Sequence, residues 1–173
     1  MHTLDAIGHQ RVVRAFTSDP ISEDALSTIL HSGRRTASSK NQQAWAFIVV
    51  HDRGALERLS KVGPWCGHIA GAKLAIALVT PDPRAPGTAL AVMWDLGRAA
   101  QNMTLAAWDL GIGSCPGTVY EQEACRSILG YPADHHCEYI LSFGYPKDPA
   151  DLTRPLKAGG RRDLASMLHE ERW

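Results

Sequence analysis

The sequence predicts one domain of mixed helical and strand structure, residues 1–173, and three observations predict it. Leu74–Thr80 is a continuous apolar run bounded by turn residues, as a central buried strand should be. The β-branched stretch Ala46–His51 and the stretch Tyr139–Tyr145 supply two further strands. Thr88–Leu110 is the longest helical pattern in the chain and would span roughly 34 Å at 1.5 Å per residue, the width of a small domain. A chain of 173 residues can bury a real core without dividing.

The totals exclude several function classes. Lys+Arg and Asp+Glu are 18 each, so the formal net charge is zero. No global basic field exists to draw nucleic acid or an anionic membrane, and any anion site must be a local cluster. No long apolar run free of charges occurs, so no membrane span is expected. Cys66, Cys115, Cys125 and Cys137 show no Cys-x-x-Cys spacing, and the N-terminus has no apolar signal core. A reducing cytoplasm with free thiols is the expected location.

Taken in order, Met1–Phe16 is the first element. It sets Arg11 and Arg14 three apart, on one face if the segment is helical. Two guanidiniums repel unless an anion sits between them, and Arg suits phosphate; the plainer alternative is a solvated basic face. Ser22 then caps a helix whose Glu23 and Asp24 favour its positive end, with Leu26, Ile29 and Leu30 on one face and Gly33 following. The polar loop Thr36–Trp45 joins this helix to the strand at Ala46. Pinned at both ends, its hydroxyl, amide and backbone N–H groups can meet a polar planar ligand, or serve ordinary turn chemistry.

Asp52–Val62 reads as a short amphipathic helix, and Gly63–Gly71 as a loop carrying Trp65, Cys66 and His68. Pro81–Gly87 is a turn. The long helix leaves a wide apolar surface, including Leu90, Trp94, Met103 and Trp108, that must be covered on more than one side. Its own sheet would be one cover and a symmetry mate could be the other, the alternative being a helix wholly inside one core. Gly111 suits a left-handed helix stop, and the run to Gly117 is no dinucleotide fingerprint. Glu121–Leu129 is a short helix. His135, His136, Cys137 and Glu138 could suggest a metal, but neighbours on a strand face opposite ways, so no metal is expected. Lys147–Gly160 is an extended tail, and Arg161–Arg162 enters a final helix at Leu164–His169. An arginine pair is poorly placed at a positive helix end unless an anion is present.

The wording of five ordered blocks resembles the FMN-dependent nitroreductase family over roughly His9 to Trp173. Ser38-Ser39-Lys40-Asn41-Gln42-Gln43-Ala44-Trp45 is similar to its signature loop, and Gln10-Arg11-Val12-Val13-Arg14-Ala15-Phe16 to its opening run. Gln10 and Val12 stand where the family has a basic residue and a hydroxyl. Asp95 to Ala107 resembles the long interface helix, Gly113-Ser114-Cys115 the segment passing the flavin ring, and Gly144-Tyr145-Pro146 the closing strand. The resemblance implies an α+β fold: a mainly antiparallel sheet flanked by helices, built as an intertwined homodimer with two FMN molecules at the interface. It implies that Arg11, the Val12 backbone, Arg14 and Arg161 or Arg162 grip the flavin phosphate. Ser38, Ser39 and Asn41 would hold the ribityl chain and ring edge, Pro116 and Gly117 would meet the ring, and Trp65 and His68 would line the substrate face. The activity implied is ping-pong transfer from NAD(P)H to a nitroaromatic, quinone or similar acceptor, with no acid–base dyad required because the flavin performs the redox step. A flavin-binding module without turnover, a specialised flavin enzyme of the same family and a plain structural dimer are the alternatives; colour and bleaching by NAD(P)H separate them.

Overall fold

The computed structural model describes residues 3–155 and 159–173; Met1 and His2 of the first expected element, and residues 156–158 of the tail, lie outside the described residues. Strands β1 (Ala46–Val50), β2 (Leu74–Pro81), β3 (Gly113–Thr118) and β4 (His135–Gly144) form one antiparallel sheet in the order β1-β2-β4-β3. Helices α1 (Thr3–His9), α2 (Glu23–Arg34), α3 (Arg53–Leu59), α4 (Ala91–Asp109), α5 (Gln122–Leu129) and α6 (Ala150–Thr153) accompany it.

The sheet is covered on both faces, which explains the unbroken apolar run of β2. Ala75, Ala77 and Val79 point into a core with Leu56 and Leu59 of α3 and Cys125 of α5. Leu74, Ile76 and Leu78 point the other way, against Leu26 and Ile29 of α2 and Leu96, Met103 and Ala107 of α4. A bulge interrupts the β2–β4 register: Leu78 pairs with Tyr139 but Val79 with Cys137. The extra residue, Glu138, lets Cys137 and Ile140 both face the α3 side although they differ in parity.

α2 starts as its sequence requires, with Ser22 Oγ accepting the Ala25 N–H at 3.2 Å. Its Gly33 lies flat on α4, where a Cβ would overlap the Met103 side chain. α4 buries Val92, Leu96, Ala99, Met103 and Ala107 while Leu90 and Trp94 stay 82% and 71% exposed. No helix among the described residues is long and apolar enough to cross a membrane.

Four expectations change. The helix at the N-terminus stops at His9, so Arg11 and Arg14 do not share a helical face. The β-branched pair Val12–Val13 instead lies along the free side of β3, with Val12 bridged to Ser114 and the Val13 N–H donating to Ser114 O at 2.9 Å. Gly113–Thr118, read only as a helix stop, is the strand β3. β4 begins at His135 rather than Tyr139, and His136 Nε2 meets Glu138 Oε2 at 2.7 Å on one face. The final helix shrinks to a three-residue 3-10 turn, Leu164–Ser166, capped by Asp163, so the argument from a positive helix end does not apply to Arg161 and Arg162. Every described residue from 159 to 173 is exposed, including Leu164, Met167, Leu168 and Trp173.

Candidate active site

The loop after α2 is held by two side chains of α4. Asn102 Nδ2 donates to Thr36 Oγ1 at 2.7 Å, and the buried Asp95 Oδ2 accepts the Ser39 N–H at 2.7 Å. Ser38 Oγ accepts the Gln43 N–H at 2.9 Å, which closes the loop on itself. Lys40, Asn41 and Gln43 have φ of 51°, 56° and 50°. Left-handed backbone costs an L residue about 1–2 kcal/mol, so it persists only where the surroundings hold it. The result is a rigid corner that turns Ser39, Lys40 and Asn41 outward, with Ser38 half-buried beneath them.

A second cluster forms where residues 11–14, the turn Gly67–Gly71 and β3 meet. Arg11 donates from Nε to His9 O at 3.2 Å and from Nη1 to Pro155 O at 3.4 Å, while its Nη2 is buried without a hydrogen-bond partner among the described residues. Arg14 reaches the Cys115 thiol, whose pKa burial raises against the pull of that guanidinium. His68 Nδ1 lies 2.7 Å from Ser142 Oγ, and burial, then the Arg14 charge, hold its pKa below the ordinary 6.5. Gly117 is buried against this ring: a Cβ there would sit 3.0 Å from Cys66 Sγ and 3.3 Å from His68 Nε2. Pro116 and Val12 are exposed beside it, and Trp65 is 70% exposed.

These two clusters do not meet in one chain. The loop enters β1 at one edge of the sheet, and Val12 flanks β3 at the other. Four inter-strand steps separate them, roughly 19 Å at ~4.8 Å each. They also join at opposite strand ends: Ala46 is level with Val79, whereas Ser114 is level with Phe143 and Leu74. The two sets therefore occupy diagonal corners. Arg161 and Arg162 make only local contacts, to Gly160 O at 3.0 Å and Ser166 O at 2.9 Å. The structure thus brings Arg11, Val12, Arg14, His68, Pro116 and Gly117 to one corner, and Ser38, Ser39 and Asn41 to the other.

Sequence reasoning missed three residues that build these corners. Asp95 and Asn102 are seven apart on α4, hence on one face, and were visible only as polar positions on an otherwise apolar helix. Ser142 was the one serine in β4, set between Leu141 and Phe143.

The sequence model of the Nitroreductase family matches residues 7–67 and 62–145. A "Putative NADH dehydrogenase/NAD(P)H nitroreductase" of Archaeoglobus fulgidus is 34% identical over 98% of this chain and 98% of its own length. An "NADPH-flavin oxidoreductase" of Vibrio harveyi is 25% identical over 91% of this chain and 71% of its own. The crystal structure of "a putative nitroreductase in complex with fmn" from Desulfovibrio desulfuricans superposes with a TM-score of 0.79 at 26% identity, over 98% of this chain and 96% of that one. The chain belongs to the nitroreductase family of FMN-dependent oxidoreductases. Its corners suit such a cofactor: a buried guanidinium nitrogen without a partner beside Arg14 calls for an anion, and the glycine at 117 leaves a bare backbone for a flat ring.

Proposed function

We propose that the protein works as a homodimer and passes electrons from NAD(P)H to nitroaromatics, quinones or similar electron-poor acceptors by a ping-pong reaction. The observation that carries this reading is the placement of the two halves of the cradle at diagonal corners of one chain. A second copy, turned so that its loop faces the first copy's arginines, completes each site. The exposed Leu90 just before α4, Trp94 on α4 and the uncovered C-terminal segment are the surfaces available for that pairing.

In this arrangement Arg11 and Arg14, with the Val12 backbone and Arg161 or Arg162, offset the two negative charges of the flavin phosphate. Ser38, Ser39 and Asn41 of the other copy hydrogen-bond the ribityl chain and ring edge. Pro116 and Gly117 offer backbone to the flavin ring and Trp65 lines the substrate side, while His68, expected there from the sequence, stands behind the Gly117 backbone with its Nε2 buried. Bound FMN would supply the redox chemistry, taking up a hydride from the nicotinamide and passing two electrons, with protons, to the acceptor, so the side chains need only bind, orient and exclude water. One open substrate face receives both substrates in turn, so the nicotinamide must leave before the acceptor enters.

An absorbance spectrum of the purified protein under argon, before and after NADH or NADPH, tests the proposal. A yellow protein that bleaches with a nicotinamide and regains colour with a quinone is expected. Full flavin occupancy without bleaching would overturn the reductase reading and leave a flavin-binding module.

A further inference from the structure

Ser142 lies fully buried on β4, surrounded by apolar neighbours in sequence, and its hydroxyl has two partners. His68 Nδ1 is 2.7 Å away and Cys115 O is 3.3 Å away. The hydroxyl owns one hydrogen, so only two arrangements use both contacts or one of them. If Ser142 donates to Nδ1, the His68 proton sits on Nε2, which has no partner in hydrogen-bonding geometry among the described residues, and Cys115 O loses its donor. A buried N–H without an acceptor is rarer and more costly than a bare lone pair. If instead Nδ1–H donates to Ser142 Oγ and Ser142 donates to Cys115 O, both contacts are satisfied. Nε2 is then an unprotonated nitrogen lying under Gly117.

The groups facing the ring agree with a neutral imidazole. Burial disfavours the imidazolium most, and Arg14, from the N-terminal segment, opposes a second positive charge; the Pro116 and Trp65 carbonyls act the other way and are outweighed. The thiols of Cys66 and Cys115 are both pushed up by burial, Cys66 to about 11, and stay uncharged at neutral pH. The backbone at Gly117 rests directly on Cys66 and the imidazole, so the ring fills the space behind that strand segment.

We propose that Ser142 is a positioning residue: it locks His68 as the Nδ1–H tautomer, and the locked ring braces the Cys115–Gly117 backbone at the ligand face. The role assigned to that face rests on the flavin reading above, but the lock itself does not. It couples three elements, since the imidazole leaves the Gly67–Gly71 turn, the hydroxyl leaves β4, and both act on β3.

The test uses the purified protein with 15N-labelled histidine, long-range proton–nitrogen spectra from pH 5 to 8, and FMN titration. His68→Asn identifies the His68 signals. Wild type should show protonated Nδ1 and unprotonated Nε2 at pH 7, with titration below 6.5. Ser142→Ala should abolish the tautomer preference and weaken FMN binding about tenfold, a net hydrogen bond's worth. Ser142→Thr, which keeps the hydroxyl, should restore both. A wild-type His68 protonated on Nε2 at pH 7 overturns the proposal whether or not any variant folds. So does a folded Ser142→Ala protein with unchanged tautomer and FMN affinity. If wild type binds no FMN, the flavin reading fails, and the tautomer spectra alone decide the lock.

Discussion

Asp95 shows how a single buried carboxylate can organise a site it never touches. It is 5% exposed, accepts the Ser39 N–H at 2.7 Å and sits 3.8 Å from Arg98. Asp95→Ala leaves that N–H without an acceptor and releases the left-handed turn at Lys40 and Asn41. A loss of about 1–3 kcal/mol in urea unfolding is expected, together with weaker FMN binding, and Asp95→Asn should recover most of both. His68 makes a different prediction. Its pKa in the fold lies below the ordinary value, so the unfolded chain takes up the proton first as pH falls. The contribution is complete above pH ~6.5 and is lost on acidification towards the folded pKa. Melting temperatures between pH 7.5 and 5 should therefore fall more steeply for wild type than for His68→Asn. At this scale the sequence named the arginines and loop hydroxyls because they stand in recognisable wording. It could not name Asp95, Asn102 or Ser142, since a polar residue on a helix or strand shows its partner only after folding.

Among the elements, legibility tracked local signals. α2 was readable from its capping serine, acidic first turn and glycine near its end, and β2 from a run that only a two-sided burial explains. β3 was hidden because Pro116, Gly113 and Gly117 are poor strand formers, and its pairing comes wholly from β4 and Val12. The N-terminal segment was misread for the same reason: its extended form depends on a distant strand edge. The contact between α2 and α4 was also invisible, though its key residue was not. Gly33 allows α2 to lie on Met103, and Gly33→Ala must push the two helices apart or displace that side chain. Differential scanning calorimetry should show a loss of about 1–3 kcal/mol. Met103→Ala in the same chain should absorb the added methyl, making the pair of substitutions less harmful than their sum.

For the whole molecule, the antiparallel α+β plan was legible through family wording rather than through periodicity, because strand order leaves no trace in a single sequence. An apolar excess on the long helix was also legible, and the pairing proposed above would use it. Trp94, 71% exposed beside Leu90, concentrates that excess. Trp94→Asp should give a monomer by light scattering and a colourless protein in the same preparation; a yellow monomer would separate flavin binding from pairing. The diagonal corners carry one more consequence. A chain without Arg11 and Arg14, and a chain without Ser39 and Asn41, are each blind when paired with themselves. Coexpressed, they should form hybrids in which, on the proposed pairing, intact guanidiniums from one parent face an intact loop from the other. Two dead proteins should then complement each other, with one working pocket in every mixed pair.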